Sequence, residues 1–553
     1  MKAWFRTGTP WIWLNAGAIA LCLVMVIGVL GLILVQGAAH FWPADLHTVQ
    51  AKQSDGSMKR LLAEQVRAED VGAAVLRDSG VKLESNELVY QRQLLKLGNR
   101  DVYGRDFAWF LSHDLSDRQE PLDATVIERR EWGNFYGFPV KLLEGDKVVA
   151  EGAQLWQELV VRIERSNDIH DEINDIERGE IGVINKALES LRLGKRRMEL
   201  DGAPAAEIAI FEQEAQQQKA ELEASYAVLQ QKLEALYEQS RRDNLIVVTA
   251  EGKTMTINLS QIVHAFQPNA MSIMQKIGHY FGAIYAFLSE DPREANTEGG
   301  IFPAIFGTIT MVLLMAIIVT PFGVLAAIYL REYAKQGTVL KIIRISVYNL
   351  AGVPSIVYGV FGLGFFVYIM GGSIDQLFYP ESLPAPTVGT PGLFWASLTL
   401  ALLTLPVVIV STEEGLSRIP STIRMGSLAL GATKSETLWK VVVPLATPAM
   451  MTGLILSIAR AAGEVAPLML VGVVKLAPSL PIDGNFPYIH LEQKIMHLGF
   501  HVYDVGFQSP NVEASRPLLY ATALVLVLLI VLLNAVAIRL RNKLREKYRS
   551  ESD

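Results

Sequence analysis

Two charges inside an apolar run are the first candidates for chemistry in this sequence. Arg460 and Glu464 stand four residues apart in LSIARAAGEVAPLML (Leu456 to Leu470). On a helix that spacing places both side chains on one face, where they can pair. A charge held in hydrocarbon costs at least about 2.5–3.5 kcal/mol, so such a pair marks either a route for a polar solute or a structural ion pair. The guanidinium fork suits the oxygens of an oxyanion such as phosphate. An entering anion would compete with Glu464 for Arg460, while Glu464 would disfavour a deep trap by repulsion or accept the hydrogen of a protonated anion. Asn349, Ser355 and Tyr358, in YNLAGVPSIVYGVFGLGFF, are further candidates for a polar path. In the same stretch Gly359, Gly362 and Gly364 permit close helix approach, and Pro354 permits a bend.

The segment leading into the charged run, Ser411 to Pro444, is built for docking. Ser421 to Leu430 and Lys434 to Val442 each suit a short helix, with Gly431 turning the chain between them. Leu428, Leu430, Leu438 and Trp439 find no apolar partner within so short a loop. A helix lying in a partner's groove would cover them, and so would the inner leaflet of a bilayer. No G-x4-G-K-[ST] phosphate loop occurs, since Gly431-Ala432-Thr433-Lys434-Ser435 lacks its first glycine and the glycine before the lysine. The chain is therefore expected to carry no ATPase site, no cofactor and no metal of its own, and to take its energy from a partner. His113, His170, His264 and His279 are scattered without ligand spacing, and the single cysteine, Cys22, allows neither an intrachain disulfide nor a multi-cysteine metal site.

These features need a membrane to position them. Half of the 553 residues are apolar and the mean hydropathy is +0.27, too high for a simple soluble protein. Runs long enough to cross a bilayer are Leu14 to Val35, Ile301 to Leu330, Val347 to Met370, Leu393 to Val410, Ala446 to Val474 and Leu518 to Ile538. The first is longer than a signal-peptide core and reads as an uncleaved anchor. Arg331 to Arg344, the stretch with Arg418, Arg424, Lys434 and Lys440, and the tail Arg539 to Arg549 are basic, which puts them and both termini inside. The formal charge of −7 hides an asymmetry, because about −13 of it falls between Trp42 and Gly300. That acidic insert is then outside, and nucleic acid is not an expected partner.

Within the insert, Phe107 to Leu111, Thr125 to Ile127 and Phe138 to Leu143 read as strands, as do Leu245 to Ala250 and Thr254 to Leu259 around Glu251-Gly252-Lys253. Leu159 to about Leu193, and the run through Leu222, Leu229, Leu233 and Leu236, read as two helices broken at Asp201-Gly202-Ala203-Pro204, an antiparallel hairpin. Met271 to Leu288 reads as an aromatic amphipathic helix, lying on the outer leaflet or packed under the outer domain. The expected organisation is 1–41, tail and first span; 42–300, an extracytoplasmic α+β domain; 301–549, five spans with an inner loop at 411–445; and 550–553, a tail.

The inner loop resembles the coupling motif of ABC importer permeases, E-A-A-x3-G-x9-I-x-L-P. The matching residues are Met425-Gly426-Ser427, Gly431 and Val441-Val442-Val443-Pro444, with LALGATKSETLWKVVVPLATPAMMTG the closer half. Met425 stands where the motif has glutamate, so docking is expected to rest on apolar and backbone contacts. LSIARAAGEVAPLML and GVPSIVYGVFGLGFF narrow the resemblance to the phosphate-specific members. The resemblance covers roughly Ile301 to Arg549 and leaves the acidic insert without a role. It implies an α-helical polytopic membrane protein with six transmembrane helices, a type I ABC importer permease core, and an α+β domain inserted between helices 1 and 2. It also implies a PstC-like sister permease, an ATPase subunit dimer that binds the ATP, a periplasmic phosphate-binding protein, phosphate as solute and membrane lipid around the spans. The residues implied in ATPase coupling are Met425, Gly426, Ser427, Leu430, Gly431, Ala432, Thr433, Trp439 and Pro444; those implied in the path are Arg460, Glu464, Asn349 and Ser355. A permease for another oxyanion or small solute, and a membrane sensor using the outer domain, are the rival readings.

Overall fold

The computed structural model describes residues 8–53, 56–78, 80, 87–484, 487–509 and 512–550. They form two compact units, Met1–His40 with Ile301–Asp553, and Phe41–Gly300. Among the described residues, six helices are long and apolar enough to cross a membrane. The chain is a multi-pass membrane protein with an α+β unit between its first and second spans.

The first span is α1, Thr9–Ala39. Its side chains are almost all exposed and carry no charge, the pattern of a helix whose solvent is lipid. Gly37 is the exception: a Cβ there would lie 2.8 Å from the Tyr520 carbonyl oxygen, so its hydrogen lets α1 touch the last span.

The unit Phe41–Gly300 is built on two antiparallel sheets. One runs β4-β3-β2-β1-β5, from β1 (Leu46–Lys52), β2 (Met58–Gly72), β3 (Val89–Lys96), β4 (Phe107–Leu111) and β5 (Leu115–Gln119). Only β4 of this sheet was expected, because β2 mixes charges on both faces and lacks clean alternation. The other runs β10-β9-β7-β6-β11, from β6 (Thr125–Arg129), β7 (Phe135–Glu144), β9 (Asp243–Val248), β10 (Thr254–Asn258) and β11 (Ile262–Phe266), with β8 (Lys147–Glu151) paired to β7. The helical hairpin is present and longer than periodicity suggested. Its first arm, α2, runs Leu155–Asn174 and continues through one wide turn, Asp175–Glu180, into Ile181–Leu200. The second arm, α3, is Ala205–Arg241. Ile173 and Ile176 meet Leu233 and Leu236 between the arms. Helix α4, Ile273–Ser289, starts on a capping box between Ser272 and Gln275.

The membrane unit continues with α5, Phe302–Tyr333, then α6, Thr338–Leu350, and α7, Ser355–Phe378. The expected third span, Val347 to Met370, is thus corrected: the chain breaks at Ala351–Pro354 and a new helix begins at Ser355. Proline disfavours the helical conformation in the residue before it, so Pro354 starts a helix here instead of bending one. Next come α8, Leu393–Ser417, the short α9, Ser421–Ala429, then α10, Lys434–Gly463, and α11, Val512–Ser550. The fifth span is also corrected, from Ala446–Val474 to Lys434–Gly463. The second docking helix runs unbroken into it through a wide turn at Leu438–Val442. Pro444 cannot donate a backbone hydrogen bond, and the turn before it widens where that donor is missing. At the centre, α8 packs on α5 and α10 through Met311, Val312, Leu400 and Ile458. Glycines allow that approach: a Cβ on Gly453 would lie 2.7 Å from Ser411 Cβ, and one on Gly415 2.4 Å from Ala449 Cβ.

Candidate functional site

Arg460 sits in the last turn of α10, whose final residue is Gly463. Glu464 does not share that helix. Its backbone is extended (φ −81°, ψ 134°), and its N–H donates to the Ala461 carbonyl at 3.2 Å. Gly463, weak as a helix former, and Pro467 further on end the helix before Glu464 can join it. The pair survives this correction, with Arg460 Nε 3.5 Å from Glu464 Oε1 and both side chains part-exposed. Two things therefore offset the Arg460 charge, the carboxylate and the negative end of the α10 dipole. A guanidinium so placed holds its charge while still facing the space outside the packed core.

Around the pair, Gly359 of α7 lies against the segment that follows Glu464. A Cβ on Gly359 would lie 2.7 Å from Pro467 Cα, and one on Gly362 would lie 2.3 Å from Thr399 Oγ1. Gly364, by contrast, faces open space. Tyr358 is buried within electrostatic reach of Arg460, and its hydroxyl donates to the Leu350 carbonyl at 2.5 Å, tying α7 back to the end of α6. Ser355, the first residue of α7, is half-buried. Asn349 is exposed near the end of α6, on the other side of the chain break. The fold therefore brings Tyr358 and the first turn of α7 towards Arg460, and leaves Asn349 on a separate helix.

The docking segment is a short helix on a braced platform. Gly431 has φ +88°, a left-handed turn that a side chain would strain, and it reverses the chain between α9 and α10. Thr433 and Glu436 form a capping box that starts α10. Ser427 Oγ and Thr437 Oγ1 are 2.9 Å apart and join the two helices. Met425, Leu428, Leu430 and Trp439 are exposed, Leu430 almost fully at 92%. Gly426 has nothing near a would-be Cβ, and Ala432 is half-buried beside Gly431. Leu438 and Val442, in contrast, turn inward onto Ile328, Leu416 and Met450. The expectation that Leu438 needs an outside partner is therefore replaced: α5 and α8 cover it.

Sequence reasoning missed the residues that brace this platform. Arg424 donates to Glu332 Oε1 at 2.9 Å, to the Ile419 carbonyl at 2.6 Å and to the Leu416 carbonyl at 2.8 Å. Lys434 Nζ donates to the Glu332 carbonyl at 2.6 Å and lies 4.6 Å from the centre of the Tyr333 ring. Arg344 pairs with Glu413 at 2.5 Å. Each pair joins residues far apart in the chain, so no local spacing announces it. The available signal was acidic residues, Glu332 and Glu413, at the otherwise basic ends of two spans.

In the unit Phe41–Gly300, His264 pairs with the Glu128 carboxylate, and His279 lies within electrostatic reach of it. His264 Nδ1 is 3.1 Å from Glu128 Oε2, with Glu290 and Arg293 alongside. The hydrogen bond that His264 donates to Glu128, opposed by burial, holds His264 above its ordinary range. Burial pushes Glu128 up, but the His264 hydrogen bond and the charges of His264 and Arg293 outweigh it and hold the carboxyl at about 2. His279, its ring tilted against that of Phe266 with centroids 4.2 Å apart, is lowered by burial.

Residues 319–550 match the family of binding-protein-dependent transport system inner membrane components. The phosphate transport system permease protein PstA of Mycobacterium leprae is 37% identical over 194 residues, which cover 35% of this chain and 58% of that protein. The protein of the same name from Yersinia pestis is 29% identical over 256 residues, 46% of this chain and 76% of its own length. Among solved structures, an inward-facing MetNI methionine ABC transporter chain aligns with 17% identity and a TM-score of 0.32 over 44% of this chain and 94% of that one. Over residues 319–550, then, the chain is similar to binding-protein-dependent inner membrane components, and it spans less than two thirds of the length of the first PstA permeases it matches.

Proposed function

We propose that this chain is the transmembrane subunit of an ATP-driven phosphate importer in a bacterial inner membrane, with both termini in the cytoplasm. One observation carries the reading. An exposed apolar docking helix is joined through Thr437 to the same helix, α10, that ends at Arg460. A partner gripping Leu430 and Trp439 therefore acts on the rod that holds the anion-binding charge. The partners in this reading are an ATPase subunit dimer at the 411–445 loop, a PstC-like sister permease completing the path, and a periplasmic phosphate-binding protein outside. The relatives named as phosphate transport permeases support phosphate as the solute. Arg460 contacts the anion, and Glu464 returns to Arg460 when the anion leaves.

Radiolabelled phosphate uptake by the reconstituted complex, with sulfate and molybdate as competitors, tests this. Arg460→Ala is expected to abolish uptake while the complex still assembles. Normal uptake by that variant would remove Arg460 from the path. Competition by sulfate or molybdate as strong as that by unlabelled phosphate would reassign the solute.

A further inference from the structure

Helix α4 has one face that the outer unit does not cover. Ile273, Met274, Ile277, Phe281, Tyr285 and Leu288 are 70%, 75%, 40%, 65%, 74% and 38% exposed. They recur at helical spacing, and with Gly278 and Gly282 they make a stripe without a charge along the whole helix. Large side chains gathered in this way on one face are unlike the singly scattered exposed apolar residues of an ordinary surface.

The opposite face is fastened at the points where the chain meets the membrane. Phe41 packs on Tyr280 and Phe287, with ring centroids 6.4 and 5.1 Å apart, and Trp42 packs on Tyr280 at 6.1 Å. Those two residues follow α1, whose last residue is Ala39, after His40 alone. Lys276 pairs with Asp45 on the same strip of chain. At the other end, a two-stranded hairpin, Pro292–Arg293 with Glu298–Gly299, folds the connection back on itself. Gly300 N–H donates to the Asp291 carbonyl at 3.1 Å, and a Cβ on Gly300 would lie 2.2 Å from the Glu290 carbonyl oxygen. The end of α4 is therefore packed against the residue from which the chain enters α5 at Phe302.

We infer that α4 lies in the headgroup layer of the outer leaflet and that lipid covers its exposed face. Helix α4 ends at Ser289, thirteen residues before α5 begins at Phe302, and it packs on Phe41 and Trp42 just beyond α1, so the chain ties it to the ends of two spans. Tyr280, Tyr285 and Trp42 are of the types that collect at a membrane interface, with an apolar body and a polar edge. Such a helix sits about 5–10 Å into the boundary between headgroups and acyl chains.

The test is depth-resolved fluorescence quenching on the full chain in nanodiscs. Cys22 is the sole cysteine, so a Cys22→Ser background accepts one polarity-sensitive label at a time, at Met274→Cys, Phe281→Cys or Tyr285→Cys, with exposed Ser225→Cys on α3 as control. The three α4 labels are expected to shift to shorter wavelength and to lose about half their emission to a quencher carried near the lipid headgroup, more than to one at the acyl-chain end. The control is expected to respond to neither and to be quenched by aqueous iodide. Iodide quenching of the α4 labels as strong as that of the control would overturn the inference. Protection of those labels from both iodide and lipid quenchers would also overturn it, since a protein would then be the cover. Stronger quenching from the acyl-chain end would place the helix too deep and refute the headgroup location.

Discussion

Removing the Arg424 side chain is the sharpest test of how the docking segment is held. Helix α9 is nine residues long, too short to persist in water by itself. Its place depends on contacts with its neighbours, chief among them the three hydrogen bonds from the Arg424 guanidinium to Glu332, Ile419 and Leu416. Each hydrogen bond from a charged donor is worth about 1.5–3 kcal/mol, and the carboxylate left behind pays a desolvation cost as well. The Arg424 and Glu332 side chains are still 20% and 15% exposed, so water compensates part of the loss. A net penalty of about 3 kcal/mol follows, roughly a hundredfold in the opening equilibrium of α9. Hydrogen exchange on the full chain reads this directly. Arg424→Ala is expected to speed exchange across Ser421–Ala429 about a hundredfold while α10 beyond Val443 is unchanged. Arg424→Lys, which keeps the charge and loses the fork, falls in between at about tenfold. Unchanged exchange in α9 for Arg424→Ala would refute the bracing role and leave the Ser427–Thr437 contact as the main tie.

Three further outcomes follow from the same geometry. Leu430→Asp, at a side chain with no packing to lose, should leave thermal stability within about 0.5 kcal/mol, yet weaken capture of the ATPase subunit about tenfold to a hundredfold, the worth of one buried leucine; undiminished co-purification would show that Leu430 is not in the docking face. Gly359→Ala should lower stability by about 1–3 kcal/mol in a thermal melt, because the neighbour it meets is the Pro467 backbone and cannot swing aside, whereas Gly364→Ala, facing open space, should be neutral or slightly stabilising. In the outer unit, His264 is raised from 6.5, so its contribution is in place below that pH and is lost as pH rises through the higher folded value. Glu128 is lowered from 4.5 to about 2, so its contribution is present above pH 4.5 and is lost as pH falls towards 2. Exchange protection of β11 should therefore peak between those limits, and His264→Gln should flatten the alkaline side; an unaltered alkaline slope in that variant would separate the pair from the pH response.

What could be read in advance divides along a physical line. Spans, the helical hairpin and the Gly431 turn rest on local pattern, such as apolar run length, periodicity, or one residue that alone tolerates a left-handed backbone, and each is visible within a short window. The break at Ala351–Pro354 and the end of α10 at Gly463 were missed because apolar runs look continuous across a helix terminus when both sides face lipid or core. Strands β1 to β3 were missed because their charges are satisfied across the sheet: Arg92 meets Glu69 at 2.5 Å and lies 4.2 Å from the Trp109 ring. Alternation is erased wherever charged side chains find partners on the same face. The Arg424–Glu332 brace, joining residues on different helices, is a tertiary fact with no local signature.

That brace changes where a force on the docking helix would go. With α9 hung only on α10 through Ser427 and Thr437, a pull on Leu430 would act on one rod. Arg424 and Lys434 both fasten to Glu332 at the C-terminal end of α5, so the same pull reaches α5 and α10 together. Between them lies α8, packed on both through small residues that leave no slack: Gly323 of α5 against Val408, and Gly453 of α10 against Ser411. Packed interfaces of this kind move as units and repack in discrete steps rather than deforming smoothly. In the proposed function, then, the docking helix moves α5, α8 and α10 as one block. Arg460 is carried at the far end of that block, while Gly359 and Tyr358 of α7 lie on its neighbour. In that reading the boundary that opens and closes around the anion is the one between α7 and the segment that follows α10, where Gly359 meets Pro467.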